Sequence, residues 1–288
     1  MKNILEKYYL EVDEKQIASK VEEAKQSAKN INPEDLKQCF NSIDLTTLNA
    51  TDTVSQVKKM AEKVSNFSAV YHNLPNVAAI CVYPALVNTV RKNLTDKNVN
   101  IASVTAGFPA SQTFVDVKIK ESLLAVENGA DEIDIVISVG RFLEKDYEFV
   151  YSEIDRIKKA VGDVHVKVIL ETGALNDLRL IRIASLLAME AGADFIKTST
   201  GKFYDAATPE AVCVMCQAII DYKAQSGRKT GIKPSGGIST AGEALVYYSI
   251  LKSTLGKDWL NNRLFRIGAS RLANSLLNDI VGLETNYF

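Results

Sequence analysis

Three charged side chains stand where short apolar runs would otherwise continue. Glu127-Asn-Gly-Ala-Asp-Glu-Ile133 recurs 63 residues later as Glu190-Ala-Gly-Ala-Asp-Phe-Ile196. In each copy a charge follows the glycine by five positions: Asp134 after Gly129 and Lys197 after Gly192. A third charge, Lys233, ends the run Gly231-Ile-Lys233 just before a Pro-Ser-Gly-Gly turn. If these runs are buried strands of one sheet, a carboxylate and two amines share an apolar environment where unpartnered charge is costly. Two ammonium groups held close together disfavour each other's protonation, which leaves one as a free amine near neutral pH. A free lysine amine attacks a carbonyl carbon and forms a Schiff base. A buried structural ion pair is the competing reading of Asp134 with Lys197.

Anion-binding signals lie beside these residues. Thr198-Ser-Thr200-Gly201-Lys202 follows the second copy of the echo, and Gly236-Gly237 follows Lys233. Thr240 and Glu243 have the spacing of a capping box that opens a helix. Gly268-Ala-Ser270-Arg271 adds a hydroxyl and a guanidinium. Glycine turns that run into helix starts favour a phosphate. Gly201-Lys202 is followed by Phe203, so no Walker motif is present. Cys213 and Cys216 fall within a helical pattern and read as core-facing thiols rather than zinc ligands. His72 and His165 are the only histidines, and no metal site or cofactor is expected.

The elements that must position these residues follow from the apolar pattern. Short runs at Cys39–Leu45, Val77–Val82, Ile101–Thr105, Glu132–Val139, His165–Leu170, Asp194–Lys197, Gly231–Lys233 and Leu264–Gly268 alternate with helix-length segments. Strands separated by helices pair in parallel, and eight such units predict an α/β fold, the closed (β/α)8 TIM barrel. An open doubly wound sheet is disfavoured because no G-x-G-x-x-G follows any strand. With strands four and six carrying Asp134 and Lys197, both side chains fall in one layer of the barrel. Lys167 shares a strand face with His165 and Ile169 and could face the barrel interior near Asp134, but it is not expected among the residues that touch substrate. Ile17, Val21, Ala24 and Ala28 form one apolar stripe, so residues 1–38 read as a helical N-terminal extension and 39–288 as the barrel.

Composition bounds the function. The chain has 288 residues, 47% hydrophobic, with 34 basic against 35 acidic side chains and a net charge of -1. That balance gives no electrostatic case for a nucleic-acid binder. The stretch Val64–Val90 lacks charge but is interrupted by polar residues and Pro75, so no membrane partner is expected. Four cysteines suggest reduced thiols and a cytoplasmic location.

The strings IDLTTL (43–48), AAICVYP (78–84), GADEIDIV (129–136), KVILETG (167–173), ADFIKTSTGK (193–202), IKPSGG (232–237) and GAS (268–270) resemble, in collinear order, the 2-deoxyribose-5-phosphate aldolase family in its longer subclass. That resemblance implies a class I aldolase of deoxyribose phosphate catabolism. It would reversibly cleave 2-deoxy-D-ribose 5-phosphate to acetaldehyde and D-glyceraldehyde 3-phosphate without a cofactor. The family's Schiff-base lysine falls on Lys197, its second lysine on Lys233 and its proton-shuttling carboxylate on Asp134. Asp44, Cys81 and Thr200 match residues lining the family's pocket, and Gly201, Lys202, Gly236, Gly237 and Ser270 match its phosphate site. The expected partner is a small phosphorylated sugar, with a homodimer as the assembly considered.

Three departures from the family pattern stand out. Its glycine turn is commonly followed by Arg-Thr, where this chain has Ser239-Thr240. Arg271 occupies a place often held by a second serine, and we expect it to supply the charge missing at position 239. Some members end in a tyrosine that assists proton transfer, whereas here Tyr287 is followed by Phe288. A Schiff-base aldolase for another short sugar phosphate, or a barrel turned scaffold, are the alternatives.

Overall fold

In the computed structural model, which describes residues 5–203 and 207–288, eight short strands run parallel around a common axis. They are β1 Ile43–Thr46, β2 Ala79–Val82, β3 Asn100–Thr105, β4 Glu132–Val136, β5 His165–Ile169, β6 Phe195–Lys197, β7 Gly231–Lys233 and β8 Ile267–Ala269. Each strand from β1 to β6 pairs with its successor, and β8 pairs with β1. Single parallel bridges, Ile232 to Phe265 and Ser235 to Gly268, join β7 to the β8 side and close the (β/α)8 barrel.

Local chemistry sets the helix starts. Thr53 with Gln56 and Thr240 with Glu243 form reciprocal capping boxes, and Thr208 caps the helix Pro209–Ser226 ahead of its first-turn proline. The echoed segment has a structural role of its own. Gly129 and Gly192 both take positive φ, at 104° and 99°, to leave their helices. The following Asp131 and Asp194 each accept the backbone N–H of the second residue of the preceding strand, from Ile101 at 2.8 Å and Val166 at 2.9 Å. Each is also paired with a base, Arg91 at 2.6 Å and Lys158 at 2.8 Å. The echo therefore fixes strand register twice, and the charges five residues past each glycine inherit equivalent places in the barrel.

Two glycines make room inside. A Cβ on Gly231 would lie 2.3 Å from the Phe195 ring, and one on Gly268 would lie 2.8 Å from Ser235 Cβ and 3.1 Å from Lys233 Cε. Gly231 admits the ring that fills the base of the barrel, and Gly268 lets Lys233 extend inward. Between the helices Val115–Glu127 and Tyr147–Val161, buried Lys118 meets Glu153 at 2.5 Å and donates to Ser111 and Ser138, bracing the loops after β3 and β4.

One strand start differs from the sequence reading. Residues 39–41 belong to the helix Pro33–Asn41, and β1 begins at Ile43. Asn32 caps this helix, and Leu36, Cys39 and Phe40 are buried at helical spacing, so the apolar run from Cys39 is half helix face and half strand. The helix thus runs across residue 38. The helix Glu14–Ser27, capped by Asp13, buries Ile17, Val21 and Ala24 against Pro209–Ser226 and Ala241–Thr254. All four cysteines are free and buried, Cys213 and Cys216 within their helix. No helix among the described residues is long and apolar enough to cross a membrane.

Candidate active site

At the C-terminal ends of the strands a cleft of about 230 Å³ opens between three turns. Its wall carries Lys197, Thr200, Gly201, Lys202, Gly236, Gly237, Ser270 and Arg271 together with Ser239 and the β1 loop residues Thr46–Asn49. Gly201, Gly236 and Gly237 have φ of 71°, 90° and 76°, and a Cβ on Gly201 would touch Gly236 Cα at 3.5 Å. The two glycine turns are thus in ordinary contact, and it is their positive φ, rather than a lack of space, that side chains at these positions would resist. The Lys202 ammonium donates to the Leu48 carbonyl and ties the β6 loop to the β1 loop. Arg271 and Ser239 line the same cleft. The N–H groups of Ser239 and Thr240, at the helix start, donate to Glu243, at 2.8 and 2.9 Å. A phosphate would therefore rely on the cations and the glycine turns more than on that capped helix start.

Lys197 forms the floor. Its Nζ donates to Asp134 Oδ2 at 2.8 Å, and Lys233 Nζ donates to the same oxygen at 2.7 Å. The backbones of Lys197 and Lys233 are register partners on β6 and β7, so the two lysines stand side by side. Burial pushes the Lys197 amine down, and the Lys233 charge adds to that, while Asp134 opposes both. Burial acts against the charge of Lys233 too, but there Asp134 and Asp44 outweigh it and hold the ammonium protonated. Of the two neighbouring lysines, Lys197 is the freer amine.

Asp44 and Cys81 lie beneath this floor rather than on the cleft wall, and both are fully buried. Asp44 is 2.5 Å from Lys233 Nζ and accepts from Arg266 at 2.7 Å. Cys81 packs among Leu48, Ala79, Ala102 and Val104, and burial pushes its thiol up.

Lys167 faces the barrel interior beside Asp134, as its strand face allows, and does not line the cleft: it donates to Asp134 Oδ1 at 2.9 Å and lies 2.5 Å from Glu132. Its backbone pairs with Asp134 across β4 and β5, and parallel partners point to the same side of a sheet. Glu132 and Arg266 were missed, although Glu132 stands two residues before Asp134 on one strand face, a period-two signal of charge directed inward. Glu171 is a further buried carboxylate. Its backbone is left-handed, with φ 55° and ψ 57°, and it accepts from the Thr200 N–H at 3.1 Å and the Thr200 hydroxyl at 2.6 Å. It thereby holds the loop that carries Gly201 and Lys202. No sequence signal distinguishes it, because its orientation depends on that strained turn.

The C-terminal tail is placed away from the floor. The Tyr287 hydroxyl donates to the Lys63 carbonyl at 2.7 Å, and its ring packs on Phe67 and Tyr71. Phe288 stacks on Phe67 and borders Ser270 in an adjoining groove.

A barrel with a depressed lysine held by a carboxylate and a second lysine, below a cationic and glycine-lined mouth, defines a Schiff-base-competent site for a small anionic carbonyl compound. Comparison with known proteins agrees: residues 39–254 match the model of the DeoC/LacD family of aldolases. The chain is 42% identical over 255 residues to the deoxyribose-phosphate aldolase of Homo sapiens, covering 85% of this chain and 80% of the human one. It is 44% identical over 255 residues to the Mus musculus enzyme of the same name, covering 85% and 79%. A tetrameric deoxyribose phosphate aldolase from Aeropyrum pernix superposes with a TM-score of 0.69 at 25% identity, over 89% of this chain and 96% of that one. This protein belongs to the DeoC/LacD aldolase family, and it is an aldolase.

Proposed function

We propose that the enzyme reversibly cleaves 2-deoxy-D-ribose 5-phosphate to acetaldehyde and D-glyceraldehyde 3-phosphate through a Schiff base on Lys197. The observation that carries this reading is Lys197 itself: a lowered amine at the base of the cleft, 2.8 Å from a carboxylate. Relatives bearing the deoxyribose-phosphate name at more than 40% identity support the substrate.

In this reading the Lys197 amine adds to the C1 aldehyde of the open-chain sugar, and the carbinolamine loses water to give an iminium. Asp134, acting through a water, removes the proton of the C3 hydroxyl. The C2–C3 electron pair flows into the iminium, the bond breaks, and glyceraldehyde 3-phosphate leaves. The remaining enamine takes a proton at C2 and is hydrolysed to acetaldehyde, which restores the free amine. Lys233, kept charged by Asp134 and Asp44, steadies the carboxylate between proton transfers. Lys202 and Arg271, with Gly201, Gly236, Gly237 and Ser270, hold the phosphate, and Thr200 orients that loop. Asp44 and Cys81 shape the site from below. The described residues ahead of β1, with the helices Glu14–Ser27 and Pro33–Asn41, serve as an extension packed on the barrel. A cytoplasmic homodimer completes the proposal, supported by the free thiols and by exposed Val117 and Leu124 on the helix Val115–Glu127 with exposed Phe114 at its N-cap.

Borohydride reduction in the presence of 2-deoxyribose 5-phosphate or acetaldehyde tests this. Mass spectrometry should place the adduct on Lys197, and Lys197→Leu should abolish it. An adduct on Lys233 alone would overturn the assignment, and inhibition of turnover by a chelator would point to metal chemistry instead.

A further inference from the structure

Beneath Lys197, six buried groups form a closed ring of alternating charge. Arg266 pairs with Glu132 at 2.7 Å, Glu132 with Lys167 at 2.5 Å, and Lys167 with Asp134 at 2.9 Å. Asp134 pairs with Lys233 at 2.7 Å, Lys233 with Asp44 at 2.5 Å, and Asp44 with Arg266 at 2.7 Å. Every member is buried. The ring holds three cations and three carboxylates, so it is neutral by itself. Lys197 is outside it, attached only through Asp134 and facing the cleft.

Placing one more positive charge on a buried neutral ring is unfavourable, whereas placing it on a ring short of one cation is favourable. The groups that face Lys197 are Asp134 from β4, Lys233 from β7, Cys81 from β2 and, one step further, Asp44 from β1 and Lys167 from β5. The nearby buried carboxylate Glu171 is engaged by Thr200 and joins no lysine. Arg266 is the ring member furthest from the cleft by connectivity, reaching Lys197 through three intervening charges on either path, the last of them Asp134.

We infer that Arg266 is a positioning residue for catalysis: by completing a neutral buried ring, it keeps the Lys197 amine unprotonated and ready to attack, without touching substrate. Glu132 acts with the opposite sign. Removing Arg266 alone leaves three carboxylates against two fixed cations, and Lys197 takes up a proton to balance them. Removing the Glu132 charge alone leaves an excess of positive charge and drives Lys197 further toward the free amine. Removing both charges restores the balance. This inference rests on the proposed Schiff base at Lys197.

The test is the pH dependence of cyanoborohydride trapping by acetaldehyde, with the adduct mapped in each variant. In Arg266→Met the midpoint of the acid limb should rise by about one pH unit, so trapping below it falls about tenfold. Glu132→Gln should lower the midpoint, Arg266→Lys should keep it, and the Glu132→Gln/Arg266→Met double variant should return close to the wild-type midpoint. Should Arg266→Met not fold, the Glu132→Gln shift and the double variant decide the matter. An adduct on Lys197 with an unmoved midpoint, or with both single variants shifted the same way, overturns the inference. Wild-type protein that gives no adduct on Lys197 overturns the Schiff-base reading itself.

Discussion

Replacing Asp134 by asparagine separates formation of the Schiff base from cleavage of the carbon–carbon bond. In the native site this carboxylate accepts from Lys167 at 2.9 Å, Lys197 at 2.8 Å and Lys233 at 2.7 Å. An amide of the same shape keeps one acceptor oxygen, turns an NH2 group toward the ammonium groups and cannot serve as a base near neutral pH. Loss of the base should lower turnover by roughly 100- to 10,000-fold, which corresponds to ~3–5 kcal/mol of barrier. The same change removes the chief interaction favouring the charged form of Lys197. The amine therefore stays free, and the reduced adduct on Lys197 should still accumulate on long incubation. Breaking the buried pairs should also cost ~3–5 kcal/mol of stability, so thermal melts and circular dichroism must accompany the kinetics. Turnover is read by coupling glyceraldehyde 3-phosphate to NADH oxidation, and the adduct by mass spectrometry. Asp134→Asn turnover within tenfold of wild type would refute the reasoning. So would loss of the adduct in protein whose circular dichroism is unchanged.

Three further outcomes follow from the same geometry. Arg271→Ser should raise the KM for the phosphorylated sugar about tenfold, ~1.4 kcal/mol, while leaving the KM for 2-deoxyribose unchanged; an unmoved KM for the phosphate ester would remove Arg271 from the phosphate site. Tyr287→Phe should leave kcat unaltered and lower stability by about 1 kcal/mol, because its hydroxyl serves the Lys63 carbonyl; a large drop in kcat would show that the tail reaches the reacting atoms. Burial raises the Glu132 carboxyl, but Lys167 and Arg266 outweigh it and hold the group at about 2, against its ordinary 4.5. Its stabilisation is therefore complete above pH 4.5 and lost as pH falls toward 2, about 3 kcal/mol in all. Urea unfolding between pH 5 and 2 should show stability rising with pH, and a flat profile would contradict the buried pairing.

What the sequence by itself determined is the series of elements and the positions of the residues proposed to react. Alternating strand and helix patterns dictate parallel crossovers, and the repeated Gly-Ala-Asp segment sets Asp134 and Lys197 at equivalent heights because each copy ends a helix and fixes a strand start in the same way. Local rules suffice for this, since caps, glycine turns and periodicity act over a few residues. They fail where one pattern covers two elements, as at Cys39, where a helix face and a strand share one apolar run. Only the tertiary structure decided what surrounds the reacting groups. Lys167 and Arg266 lie 33 and 132 residues beyond Asp134 along the chain, and no spacing rule joins them. Closure of the barrel brings them, with Glu132 and Asp44, into one buried ring whose charges cancel. A lone lysine's chemistry is set by the charges within a few ångströms of it, and that neighbourhood exists only once β8 has docked against β1.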